Sequence, residues 1–202
     1  KFKMLIVYLY QLCCSLLYRK KVITDFEICE RENFFFGFHD KCPWSYDNKY
    51  LLAHKFNHAN RLPTKDDFIQ VGYFTGYDWD DFVMLCQTNA WNWQTGSMLQ
   101  WVGESHDCIF NVYEANIHRS KMFNIDGIEK SNYDVPIATV SPDGLYAVSY
   151  SFNRQKSRIG PIAYGYATGH DPNKLVNIPN NEYIQLVNLL TGDLNKIISL
   201  VE

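Results

Sequence analysis

Val140-Ser141-Pro142-Asp143-Gly144-Leu145-Tyr146-Ala147-Val148-Ser149-Tyr150 is the stretch on which the reading of this chain turns. The short run Ile137-Ala138-Thr139-Val140 meets a four-residue turn, and an alternating run leaves it at once. Pro142 presets φ, Asp143 can bond its own backbone and Gly144 accepts a positive φ, so the two runs form an antiparallel hairpin. Ser45-Tyr46-Asp47-Asn48-Lys49-Tyr50-Leu51-Leu52-Ala53 echoes it. Asn48 stands there where Gly144 stands later, and Asn is the next best residue for that backbone.

Working outward, the chain alternates from Val22 to Asn33 and reaches Phe34-Phe35-Phe36-Gly37-Phe38-His39-Asp40, which reads as the first strand of the main domain. Ile69 to Phe74 and Phe82 to Cys86 supply two more strands around a polar turn. A second unit opens at Ala90 to Trp101 and continues through Cys108 to Tyr113 and Lys121 to Ile125. The third contains the central hairpin, Tyr183 to Asn188 and Lys196 to Val201. Four short strands per unit, repeating every forty to sixty residues or so, is the spacing of β-propeller blades. The expected architecture is therefore all-β: a partial β-propeller of three four-stranded antiparallel blades (34–89, 90–134 and 135–202) within 22–202, behind an N-terminal helix over 1–21. Three blades do not close a ring, since propellers take about 4–8. The chain is accordingly expected to be the front half of a longer protein.

Composition sets the outer limits. The chain has 202 residues, 47% of them hydrophobic, enough for a substantial core. Its aromatic share of 16% favours strands over helices. A formal net charge of −3 leaves no basic footprint, so no nucleic-acid partner is expected. Cys13, Cys14, Cys29, Cys42, Cys86 and Cys108 contain no C-x-x-C pair, and no Asn-x-Ser/Thr acceptor occurs. Free thiols in a reducing, cytoplasmic compartment follow from that usage.

Residues 3–21 read as a helix with an apolar centre and a basic end, Arg19-Lys20-Lys21. Leu5, Leu9, Leu12 and Leu16 fall on one side of it. A secretory signal would have a similar start and middle, but no small-x-small cleavage site precedes the basic cluster. A membrane span needs about 20 apolar residues, more than are present. The favoured reading is a helix lying on the inner membrane surface or on the protein body, its cations near lipid phosphates.

The pattern Phe35-Phe36-Gly37-Phe38-His39-Asp40-Lys41-Cys42-Pro43-Trp44-Ser45, then Trp91-Asn92-Trp93-Gln94-Thr95-Gly96-Ser97-Met98-Leu99-Gln100-Trp101, then Ser141-Pro142-Asp143-Gly144, resembles a bacterial family of TolB-like β-propellers. The repeats are also similar to those of oligogalacturonate lyase propellers. The resemblance covers roughly Phe34 to Val201. It implies a propeller connected with polysaccharide metabolism, some members being labelled glycosyltransferase-associated. The His and Gln manganese ligands of such lyases find no matching positions, so lyase activity is not carried over.

Several constellations bear on chemistry. His39-Asp40 could pair as a base and its carboxylate, although strand neighbours point to opposite faces. His54 and His58 have the i, i+4 spacing of helical metal ligands, but they straddle a strand end and a loop, so no metal or cofactor is expected. Trp91, Trp93 and Gln94 are candidates for a sugar platform on the upper face, because a pyranose presents apolar C–H faces and polar rims. Trp101, before a blade turn, reads as core. The connection Asn153 to Asn181 interrupts a meander that needs only a few residues, and such loops usually bind. It carries Arg154, Lys156 and Arg158, then Tyr164-Gly165-Tyr166 and His170-Asp171, a composition suited to an anionic sugar, a phosphate or a carboxylate.

The expected function is thus a propeller module that binds a carbohydrate or an anionic small molecule through His39, Asp40, Trp91, Trp93, Gln94, Arg154, Arg158, Tyr164, Tyr166 and His170. Two other classes stay open: a polysaccharide-active enzyme, lyase-like or glycosyl-transferring, completed by further blades, and a protein-interaction scaffold.

Overall fold

The computed structural model describes residues 2–17, 25, 26, 28–37, 40–57, 61–159 and 165–201, with helical side chains over 4–14 and 152–156. The chain forms two compact units, Lys1–Glu32 and Asn33–Glu202. The first contains α1 (Phe2–Leu17). Its apolar residues are not confined to one side: Met4, Ile6, Val7, Tyr8 and Tyr10 fill the arc between the leucines, and all are exposed. Arg19, Lys20 and Lys21, expected at the helix end, lie outside the described residues.

The second unit is three successive four-stranded antiparallel meanders. The first comprises β1 (Phe34–Phe35), β2 (Leu51–Lys55), β3 (Ile69–Thr75) and β4 (Asp81–Thr88). The second comprises β5 (Gln100–Trp101), β6 (Asp107–Glu114), β7 (Ile117–Asn124) and β8 (Glu129–Tyr133). The third comprises β9 (Thr139–Val140), β10 (Tyr146–Ser149), β11 (Tyr183–Asn188) and β12 (Leu194–Ser199), with the helix α2 (Phe152–Ile159) between β10 and β11.

Turn chemistry explains the hairpins. In the β9–β10 turn the Ser141 hydroxyl donates to Asp143 Oδ1 at 2.5 Å and accepts the Tyr146 N–H at 3.0 Å, while Asp143 Oδ1 accepts the Leu145 N–H at 3.0 Å. Ser45 and Asp47 do the same before β2, the Ser45 hydroxyl donating at 2.8 Å and accepting the Tyr50 N–H at 3.0 Å. Asn48 (φ 56°) and Gly144 (φ 72°) occupy the same left-handed position. Only Gly takes that conformation without steric cost, and Asn is among the best tolerated substitutes.

Strand alternation then decides the packing. In β6, Cys108, Phe110 and Val112 face the first sheet, meeting Leu52, Val71 and Tyr73. Ile109, with Met122 and Tyr133, faces the third sheet, meeting Ile137, Ala147 and Val187. The second sheet is therefore buried on both faces, which is why β6 is apolar at successive positions, Cys108-Ile109-Phe110 and Val112-Tyr113, with Asn111 between them. Two tyrosines add hydrogen bonds across these contacts: Tyr73 Oη donates to the Ile125 carbonyl at 2.8 Å and Tyr133 Oη to the Leu189 carbonyl at 2.6 Å.

Three closing bonds set the hairpins in common register: Ser45 N–H to Tyr50 O, Val102 N–H to Asp107 O and Ser141 N–H to Tyr146 O. In that register His54, Asn111 and Tyr150 are equivalent, and the first two do the same work. His54 Nε2 accepts the Ser97 N–H at 3.2 Å. Asn111 Oδ1 accepts the Ile137 N–H at 2.8 Å and its Nδ2 donates to the Ile137 carbonyl at 3.0 Å. Each polar side chain thereby pins the segment that leads into the next sheet.

Candidate functional site

Segments 36–50, 76–80, 102–106, 125–128, 141–145 and 189–193 lie at one end of the strands, and 56–68, 89–99, 115–116, 134–138 and the long connection 150–182 at the other. At the long-connection end, the facing surfaces of the second and third sheets part around a cavity of about 270 Å³. Its second-sheet wall includes Ile117, His118 and Asp134, and its third-sheet wall includes Ser149, Gln185 and Tyr183. The start of α2 contributes Tyr150, Ser151 and Asn153, and the end of the long connection contributes Asn181 and Glu182.

Local chemistry builds each part. Ser151 caps α2, its hydroxyl accepting the Arg154 N–H at 3.2 Å. Phe152 is stacked between Tyr150 (4.9 Å, 14°) and Tyr166 (4.8 Å, 8°). The Tyr166 hydroxyl accepts from Asn111 Nδ2 at 3.0 Å, so the same asparagine that pins the third sheet also holds the long connection. Gly169 (φ 78°) lets the backbone run against Asn153 Oδ1 and His118, where a Cβ would collide.

His118 is the deepest titratable group at the cavity. It is 6% exposed, with Nε2 at 3.0 Å from Thr168 Oγ1. Thr168 Oγ1 donates to the Asn89 carbonyl at 3.4 Å, so the assignment that makes both bonds puts the proton on Nε2. Nδ1 is then a lone-pair acceptor, and it is buried without a hydrogen-bond partner. Burial, and after it the Lys156 charge, lowers the His118 pKa to about 4, so the ring is neutral at pH 7. Gln185 Oε1 and Asn153 Oδ1 are likewise buried and unpaired. All three belong to residues that line the cavity.

The residues singled out from sequence scatter. Tyr166 is wholly buried beneath the site as a packing residue. Arg154 Nη1 donates to the Asn173 carbonyl at 3.1 Å and Nη2 to the Val176 and Asn177 carbonyls at 3.0 and 2.7 Å, with Asp171 3.7 Å away. Lys156 Nζ donates to the Ala167 carbonyl at 2.8 Å. Both cations are thus committed to holding the connection. Arg158's side chain and Tyr164 lie outside the described residues, as do His39 and His58, while His170 is exposed.

The tryptophans form a separate cluster in the first half of the unit. Trp91 is fully buried, its indole N–H donating to the Asp67 carbonyl at 2.8 Å. Trp93 is half-buried, bonded to the Arg61 carbonyl at 2.6 Å and edge-on to Phe56 at 4.9 Å. Gln94 is exposed in the turn that Asn92 Oδ1 organises. Asp40 lies at the tight-turn end, where it lines a second cavity of about 490 Å³ with Trp44, Gln100, Trp101 and Val140. His54 is buried, stacked on Phe35, its Nδ1 beside the Phe35 and Phe36 carbonyls without an aligned bond. Burial lowers its pKa to about 4. Among the described residues no group of three or more His, Cys, Asp or Glu is placed to hold a metal ion.

Sequence reading missed His118, Ser149 and Gln185. The signal was the alternation of β7 and β11, which puts His118 with Ser120 and Met122, and Gln185 with Val187, on facing surfaces. No family model matches the chain, and no curated protein or solved structure is significantly similar to it.

Proposed function

We propose that the three sheets are consecutive blades of a TolB-like β-propeller and that the cavity between the second and third binds a neutral carbohydrate. Three features support the blade reading: the order of the meanders, the second sheet's burial on both faces, and the recurrence of the closing bond and of the pinning residue. The face of β10 that corresponds to Leu52 and Ile109 carries Val148, beside Leu186, and a further sheet of the same kind would cover it.

The observation that carries the ligand class is the wall of the cavity. It offers amides and hydroxyls (Ser149, Ser151, Asn153, Asn181, Gln185) and two carboxylates, Asp134 and Glu182, and none of its described residues is a lysine or arginine. Amide-rich walls with aromatic edges suit a polyol. Asp134 is paired with Arg119 at 2.8 Å, so an anion would meet the Glu182 carboxylate, with Arg154 and Lys156 bonded to backbone carbonyls.

A glycan array followed by calorimetry tests this. Neutral oligosaccharides are expected to bind, and Gln185→Ala with Ser149→Val to weaken them by about tenfold or more, each lost hydrogen bond to a neutral partner being worth roughly 0.5–1.5 kcal/mol. Binding confined to acidic glycans, or unaffected by those substitutions, contradicts the proposal. Turnover of a bound glycan would convert the module into an enzyme.

A further inference from the structure

We propose that the second cavity, of about 490 Å³, is a separate carbohydrate site in which a pyranose lies on Trp44. It opens between the segment before β2 and the short strands β5 and β9. Trp44 pairs with Leu51 in an isolated antiparallel bridge, so it holds in the first sheet the place that β5 and β9 hold in theirs. The indole N–H groups of Trp91, Trp93 and Trp101 donate to the carbonyls of Asp67, Arg61 and Pro43. Trp44 makes no such bond among the described residues, and it is 38% exposed. Tyr46, in the same wall, is 57% exposed. Trp79 meets Trp44 edge-on, the ring centres 4.8 Å apart at 84°. It does so from a left-handed backbone (φ 55°), a conformation that a bulky L residue rarely adopts. That contact fixes the plane of Trp44 and covers at most one of its faces.

Charge and hydrogen bonding select the ligand. Among the described residues of the wall, Asp40 and Lys41 alone are charged, and they pair at 2.7 Å. The Lys41 side chain is only 10% exposed, and Asp40 takes one of its three ammonium donors. The wall is therefore neutral as a whole and offers no net attraction to an anion or a cation. It still sets a donor beside an acceptor, which adjacent sugar hydroxyls match because each O–H both donates and accepts. Asn48 and Thr139 add an amide and a hydroxyl. An aromatic platform next to such a polar pair fits the apolar C–H face and polar rim of a pyranose. The volume falls within the range of small-ligand clefts, about 300–1,000 Å³. No residue is shared with the cavity between the second and third sheets, so this site stands or falls without that one.

Chemical-shift titration of the full chain with the methyl pyranosides of glucose, galactose and mannose is the test. At least one is expected to move the Trp44 indole N–H and the Lys41 and Thr139 amides along a single saturable curve. Trp44→Ala should remove those amide shifts, whereas Trp44→Phe, which keeps a ring, should retain them at weaker affinity. Lys41→Met should weaken binding by about tenfold or more, since it removes a charged hydrogen-bond donor. If Trp44→Ala loses its cooperative urea transition, Trp44→Phe and Lys41→Met carry the test. Gln185→Ala with Ser149→Val should leave the curve unchanged, which reads this site separately from the one between the sheets. The proposal is overturned if none of the glycosides moves Trp44, if the Lys41 and Thr139 shifts survive in Trp44→Ala, or if the curve follows the Gln185 and Ser149 substitutions. Saturable movement of Lys41 with sodium acetate and none with the glycosides also overturns it, by making the cavity an anion site.

Discussion

His54 and His118 are held neutral by burial, each with its pKa lowered from 6.5 to about 4. Below pH 6.5 the unfolded chain takes up protons that the folded rings refuse, so folding stability is present above that pH and is lost as pH falls toward 4. The loss per ring has an upper limit of about 3 kcal/mol. Urea midpoints should drop steadily from pH 7 to pH 4.5, and the slope should flatten in His54→Gln and His118→Gln. A pH-independent midpoint would contradict the neutral assignment. Asn111→Ala removes partners from the Ile137 N–H and carbonyl and from the Tyr166 hydroxyl, and is expected to destabilise by about 3 kcal/mol, as buried groups left unpaired cost roughly 1–3 kcal/mol each. The serine, aspartate and glycine of the turns were legible in the sequence because their chemistry is completed within a few residues. Trp91 was not, because the rings that pack on it, Phe35 and Trp93, and the Asp67 carbonyl that accepts its N–H are assembled only in the fold.

At the scale of elements, α2 and the connection after it behave as one clamped body. Its polar composition concealed a helix inside an apparent loop: over Phe152 to Lys156 only Phe152 is fully buried, so no apolar period betrayed it. The N-cap serine before it was the available local signal. Arg154 and Lys156 looked like ligand cations because sequence shows charge and not its partner; the carbonyls they hold lie at 167–177. Arg154→Ala is expected to expose 165–182 to limited proteolysis and raise its amide exchange, with little change in the thermal midpoint of the sheets. An unchanged digestion pattern would show that the stacked rings Tyr150, Phe152 and Tyr166 suffice to hold the segment. Strands were more legible than this helix, since β6 and β11 alternate between two buried or partly buried faces with a period that survives any loop.

For the whole molecule, the stacking of one sheet upon the next predicts an asymmetry between equivalent apolar faces. Ile109, wholly buried between the second and third sheets, should cost about 3 kcal/mol when cut to alanine. Ile198, paired with Ile184 on the opposite face of the third sheet and 52% exposed, should accept lysine with a change below about 0.5 kcal/mol in urea unfolding. Equal effects would mean that the third sheet is covered on both sides. Periodicity revealed the meanders, whereas the cavity between them depended on which faces meet, and so on contacts between residues far apart in sequence. Chemical-shift mapping during titration with a neutral oligosaccharide that binds is the most direct measurement. Perturbations centred on His118, Ser149, Asn153 and Gln185, with saturation, are the predicted result. Perturbations confined to the Asp40–Trp101 cavity or to the Trp93 turn would contradict a sugar site between the second and third sheets.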